Sequence, residues 1–101
     1  MAINSILQSA VIDADGEITI ENAQDAWDEI YIEVDQGDAT VGALTITVSS
    51  GAAFFAPAEN TYTIGTSAPL LLTGARVKGV KVVADSALDG PVTVRAEFRR
   101  R

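Results

Sequence analysis

Apolar and polar residues alternate with a period of two along most of this chain, and that period commits it to β structure. Val92, Val94, Ala96 and Phe98 alternate with Thr93, Arg95, Glu97 and Arg99, so an extended backbone carries one apolar face and one polar, charged face. The same pattern runs through Ile30, Ile32 and Val34 against Tyr31, Glu33 and Asp35, and through Leu44, Ile46 and Val48 against Thr45, Thr47 and Ser49. Shorter versions occur at Ile18 and Ile20 around Thr19, at Tyr62 and Ile64 with Thr61 and Thr63, and at Val80 and Val82 with Gly79 and Lys81. Leu70-Leu71-Leu72, after Pro69, is a continuous apolar run. It suits a short strand covered on both faces, or one face meeting another subunit.

Turn signals separate these runs. Asp15-Gly16, Gln36-Gly37-Asp38, Ser50-Gly51, Gly65, Thr73-Gly74 and Asp89-Gly90-Pro91 supply positive or preset φ angles. About seven or eight strands follow, a number that suits a single domain of 101 residues. The apolar share is 48%, but only 6% of residues are aromatic, so Ala, Val, Ile and Leu must fill a thin, tightly packed core. A single-domain, all-β, two-sheet antiparallel β sandwich fits that inventory. Two segments resist the pattern. Residues 22–28 read as a single helical turn capped by Asn22 ahead of the Trp27 strand, and residues 1–16 as an N-terminal arm or edge strand ahead of a sandwich over 17–101. Within the latter, Ile3, Ile6, Leu7, Ala10 and Val11 also have a helical spacing.

Charge is distributed unevenly. All ten acids before position 50, Asp13, Asp15, Glu17, Glu21, Asp25, Asp28, Glu29, Glu33, Asp35 and Asp38, occur without a Lys or Arg, and all seven bases fall from Arg76 onward. Two opposite patches result, paired internally across neighbouring strands or offered to another copy of the chain. The net charge of −7 opposes binding to a phosphate backbone, which argues against nucleic acid as a partner. No stretch approaches the roughly 18 apolar residues of a membrane span, and Met1 is not followed by a basic leader. The chain reads as a soluble protein made in a cytoplasm, with no membrane partner.

Catalytic chemistry is poorly supplied. There is no His and no Cys, so the usual neutral-pH base and the thiolate nucleophile are both missing. Ser49-Ser50-Gly51 lies at a strand end with no base nearby in sequence and reads as an ordinary turn. Asp13-Ala14-Asp15-Gly16-Glu17 crowds oxygen ligands around a glycine, but its glycine comes fourth rather than sixth, unlike an EF-hand loop. With Asp35-Gln36-Gly37-Asp38 it reads as a solvated hairpin tip rather than half of a shared cation site. No enzyme activity, cofactor or metal is expected.

Contact residues are easier to nominate. Phe54 and Phe55 are adjacent, so on an extended backbone their side chains point to opposite sides: one can fill the core while the other anchors an interface. Leu70 and Leu72 offer a second apolar run. Arg99-Arg100-Arg101 follows directly from a strand and can face an acidic partner surface, though exposed ion pairs contribute only about 0–1 kcal/mol each. Trp27 and Tyr31 offer another reading, as platforms for a sugar ring in a carbohydrate- or receptor-binding module.

The run from Leu44 to Gly51, the loop holding Phe54-Phe55-Ala56-Pro57, Tyr62-Thr63-Ile64-Gly65, and the closing segments Gly79-Val80-Lys81-Val82-Val83 and Gly90-Pro91-Val92-Thr93-Val94-Arg95 together resemble small β-sandwich virion proteins of tailed bacteriophages. The likeness in character is to capsid decoration, or cement, proteins with a jelly-roll-like fold. It covers residues 17–99 in style and carries no signature residues. It implies a protein on the capsid surface that bridges major capsid subunits, or other virion proteins, as a dimer or trimer. A tail or neck connector is a related possibility. Sheet order stays open, because jelly-roll and immunoglobulin-like connections produce nearly the same strand list.

Overall fold

The computed structural model describes residues 5–21, 27–49, 54–55, 60–65 and 69–99; at 54–55 and 72–76 the description is of the backbone alone. Nine strands follow one another: β1 (Ser5–Ile12), β2 (Glu17–Glu21), β3 (Trp27–Asp35), β4 (Ala43–Ser49), β5 (Phe54–Phe55), β6 (Thr61–Thr63), β7 (Leu70–Val77), β8 (Gly79–Ala84) and β9 (Val92–Arg99). All pair antiparallel. One sheet has the order β1-β9-β3-β7 and the other β2-β8-β4-β5, with β6 also on β4. The segments β5 and β6 pair with opposite ends of the same side of β4, Ser49↔Phe54 at one end and Ala43↔Thr63 at the other. They therefore fill one strand position, which leaves two four-stranded sheets. With that position counted once, chain-order strands 1-8-3-6 face 2-7-4-5, the interleaved order of a jelly roll. An immunoglobulin-like order is excluded.

Register explains why the alternating runs pack. Across the first sheet the inward rows are Ile6–Phe98–Ile30 and Gln8–Ala96–Ile32–Leu70, followed by Ala10–Val94–Val34 and Ile12–Val92. Across the second they are Ile18–Val82–Ile46 and Ile20–Val80–Val48. Trp27, Ile30, Ile32, Leu44, Ile46, Val80, Val82, Val94, Ala96 and Phe98 are all fully buried between the sheets. Strand β9, which is central, alternates in burial from end to end, and in β8, also central, Val80, Val82 and Ala84 are buried. A central strand has neighbours on both sides, so its inward residues cannot reach solvent around an edge.

Several local readings change. Thr73-Gly74, expected to turn the chain, lies inside β7, where the pairing with β3 shifts between Trp27↔Val77 and Glu29↔Thr73. Glycine here accompanies a bulge rather than a reversal. At the β1–β2 turn Asp15, not Gly16, takes the positive φ, 56°; Gly16 is needed for room, since a Cβ there would stand 2.7 Å from the Asp13 carbonyl oxygen. The single helical turn over 22–28 lies outside the described residues as far as 26, and Trp27 and Asp28 already belong to β3. Residues 5–12 form an edge strand rather than a helix.

Replacing Phe98, with its fully buried side chain, by Ala is expected to remove about 3–5 kcal/mol of unfolding free energy in urea titrations. Val41→Ala, an exposed side chain in the β3–β4 connection, is expected to stay within about 0.5 kcal/mol of the parent in the same assay.

Candidate interaction surface

The bases of the late strands find the acids of the early ones. Strand β9 lies between β1 and β3, and β8 between β2 and β4, so residues far apart in sequence become lateral neighbours. Arg95 Nη2 stands 3.5 Å from Asp35 Oδ2, one register step from its direct opposite, Glu33. Lys81 Nζ lies 3.6 Å from Glu17. Arg99 is the hub: its Nε donates to Glu97 Oε1 at 2.6 Å, its Nη1 is 3.8 Å from Glu29, and its guanidinium sits 5.0 Å above the Tyr31 ring centre. The two charge halves thus pair within one subunit at these positions. Because Arg95–Asp35 and Lys81–Glu17 are largely solvated, each contributes about 0–1 kcal/mol. The Arg99 cluster differs, since the Glu29 side chain is only 9% exposed and its charge is shielded from water.

The sequence-nominated residues separate into three groups. Trp27 is fully buried, so it presents no face to a sugar ring; Tyr31 is half-buried beneath Arg99. Leu70 is also buried, on the inward face of β7. Arg99 is committed to the cluster just described. Phe54, Phe55 and Leu72 have described backbones, in β5 and β7, but their side chains lie outside the described residues, as do Arg100 and Arg101 entirely. Among the described residues no group of three or more carboxylates is placed to hold a metal ion.

Exposed apolar residues concentrate on the outward face of the first sheet. Leu7 is 63% exposed, Val11 59% and Leu71 50%. Leu7 and Leu71 terminate one lateral row, Leu7–Glu97–Tyr31–Leu71, with Val11 two repeats of the pleat further along β1, beyond Ser9. Sequence reading missed Leu7 and Val11 as surface residues. In β1 apolar side chains occupy both faces, Ile6, Ala10 and Ile12 inward and Leu7 and Val11 outward, which erases the period-two signal and leaves a false helical one. The outward face of the second sheet is instead rich in threonine, with Thr19, Thr45, Thr61 and Thr63 exposed.

At one end of the sandwich the β3–β4 and β8–β9 connections are fastened together. Asp89 Oδ1 accepts the backbone N–H groups of Thr40 and Val41 at 2.7 and 3.1 Å, and its Oδ2 accepts the Thr40 hydroxyl. Those donors favour the charged form and lower its pKa from 3.8 to about 2. Asp85 caps the same end by accepting from Ala43 and Ala87 N–H groups at 3.1 Å. Gly42 completes the junction: its φ of +130° suits glycine, and a Cβ there would fall 2.6 Å from Leu88 Cα.

No family model and no curated protein matches the chain. Solved structures do. The SPBc2 prophage-derived protein YomS aligns over 97% of this chain and 96% of its own, with a TM-score of 0.62 and 11% identity. A prophage-derived protein therefore shares this fold. The Yersinia pseudotuberculosis-derived mitogen aligns over 97% of this chain and 86% of its own at 12% identity, TM-score 0.54. IMPa from Pseudomonas aeruginosa, a metallopeptidase, aligns over 99% of this chain at 11% identity, TM-score 0.52; the alignment covers 13% of that larger protein. At such identities the likeness is one of fold, and one fold serves several unrelated proteins.

Because the folded-state pKa of Asp89 is depressed, its contribution is complete above about 4 and is lost as pH falls toward 2. Melting temperatures measured across that window are expected to fall more steeply for the parent than for Asp89→Asn, which is less stable at neutral pH. Among the basic residues, Arg99→Met is expected to cost about 1–3 kcal/mol by urea denaturation. Arg95→Met is expected to cost less than about 1 kcal/mol.

Proposed function

We propose that this chain is a structural virion protein of a tailed bacteriophage, decorating and stabilising the capsid by bridging neighbouring capsid subunits. The observation that supports the reading most is the jelly roll itself, shared over nearly the full length of both chains with a prophage-derived protein. The chemistry is consistent with a role of contact rather than catalysis. His and Cys are absent from the sequence, and Glu17, Glu29, Asp35, Lys81, Arg95 and Arg99 are engaged in cross-strand pairs and Asp85 and Asp89 in loop fastenings.

A rigid two-sheet body suits this task, because a decoration protein acts through many copies whose individual contacts are modest. Its acidic surface and the exposed Leu71 would meet the capsid subunits, and its location would be the virion exterior. Virions purified from a culture carrying the gene are expected to contain the chain in many copies. Particles lacking it are expected to release their DNA at lower temperature and to regain resistance when the purified protein is added. Finding the chain only in the soluble fraction of the host, with particle stability unchanged by its deletion, would end this reading.

A further inference from the structure

A sandwich of two open sheets has four edges, and in this protein three are blunted. Strand β2 carries the exposed acids Glu17 and Glu21. The β5/β6 position is broken into pieces of two and three residues. Strand β7 is offset by its register shift against β3. These are the usual defences against edge-to-edge pairing. The fourth edge, β1, has none: Ser-Ile-Leu-Gln-Ser-Ala-Val-Ile is eight residues long, paired without interruption to β9, and free of charge, proline and glycine. Among the described residues no strand lies on its other side.

We infer that β1 is a self-association edge, along which a second copy of this chain pairs antiparallel about a twofold axis that passes between the two copies' Ser9 residues, joining the two four-stranded sheets into one of eight strands.

The occupant is identified by charge and register. The chain bears a net −7, so two copies repel, yet residues 1–12 contain no acid at all, so among the four edges β1 is one along which like copies approach without bringing carboxylates of that strand together. Pairing must be self-complementary under a twofold axis. Centring it on Ser9 sets Leu7 opposite the second copy's Val11 on the outward face and Ile6 opposite its Ile12 on the inward face, each pair occurring twice. Shifting by two residues places Leu7 opposite Ser9 or Asp13, and shifting by one brings outward residues against inward ones. Leu7 and Val11 are the two most exposed large apolar side chains among the described residues, and this register covers both. Gln8, on the inward face of the same strand, has a buried side-chain oxygen that the described residues leave without a hydrogen-bond partner. An unused acceptor beside an open edge fits a site completed by another chain.

The inference does not depend on a virion role and is tested on the isolated full-length chain. Light scattering after size exclusion, over about a hundredfold range of concentration, is expected to give twice the 10.6 kDa chain mass, with a dimer that does not loosen at high salt. Leu7→Lys/Val11→Lys, at two exposed positions, sets Lys against Lys twice and is expected to yield a folded monomer, its fold verified by circular dichroism. Leu7→Glu/Val11→Lys sets Glu opposite Lys in this register alone and is expected to restore the dimer, now sensitive to salt. A parent that stays monomeric throughout, or a dimer indifferent to the double lysine variant, overturns the inference. Dissociation without rescue by the Glu/Lys variant overturns the register. Failure of capsid binding by a normally dimeric protein would instead count against the proposed function alone.

Discussion

Everything else in this protein depends on the insertion of its last two strands between its first four. Strands β8 and β9 occupy the centres of the two sheets, with β2 and β4 flanking one and β1 and β3 the other. They contribute Val80, Val82, Val92, Val94, Ala96 and Phe98 to the middle of the core, where each inward side chain is covered by strands on both sides and by the opposing sheet. The charge segregation of the sequence is the electrostatic side of the same arrangement. A chain that interleaves late strands among early ones brings bases at the end beside acids at the beginning, as Arg95 with Asp35, Arg99 with Glu29 and Lys81 with Glu17 demonstrate. The solvated pairs among them, Arg95–Asp35 and Lys81–Glu17, add little free energy singly. They favour the correct lateral neighbour, because an acid-bearing strand laid against another acid-bearing strand is penalised.

The legible part of the fold was the part in which one face is buried and the other wet. In β3, β4, β8 and β9 the alternation in sequence is the alternation of burial, and the two-sheet antiparallel class follows from it. Sheet order was not legible, because period two records which face of a strand is buried but not which strand lies beside it. Gly74 shows the same limitation: glycine after threonine signals a change in backbone path, and whether that becomes a turn or a bulge depends on the strand opposite. Tyr31 and Trp27 illustrate it for the site. Both are aromatic and both lie on β3, yet the register offset places Trp27 wholly inside and Tyr31 on the outward face beneath Arg99.

The loop end adds a second kind of constraint. Asp89 and Asp85 satisfy backbone N–H groups of the 40–43 segment. A carboxylate with two lone-pair-bearing oxygens serves several donors at once, as the three hydrogen bonds to Asp89 demonstrate. Gly42 lets that segment cross close to Leu88, so the two connections close over the end of the core. Acidic residues in this protein thus have two structural duties, lateral pairing within sheets and fastening of loops.

Interleaving also has a kinetic consequence. Because β1 pairs with β9, and β2 with β8, neither of the first two strands acquires its central partner until the end of the chain is present. Long-range pairing of this kind folds slowly and leaves apolar strands exposed in the interim. An early half bearing ten acids and no base is then advantageous, since unpaired copies repel one another until the basic strands arrive. That protection does not extend to β1, which has no charge of its own in either the partial or the finished fold. An edge left unguarded while the others are blunted is best understood as an edge with a partner, and the antiparallel symmetry of its own sequence supplies the simplest one.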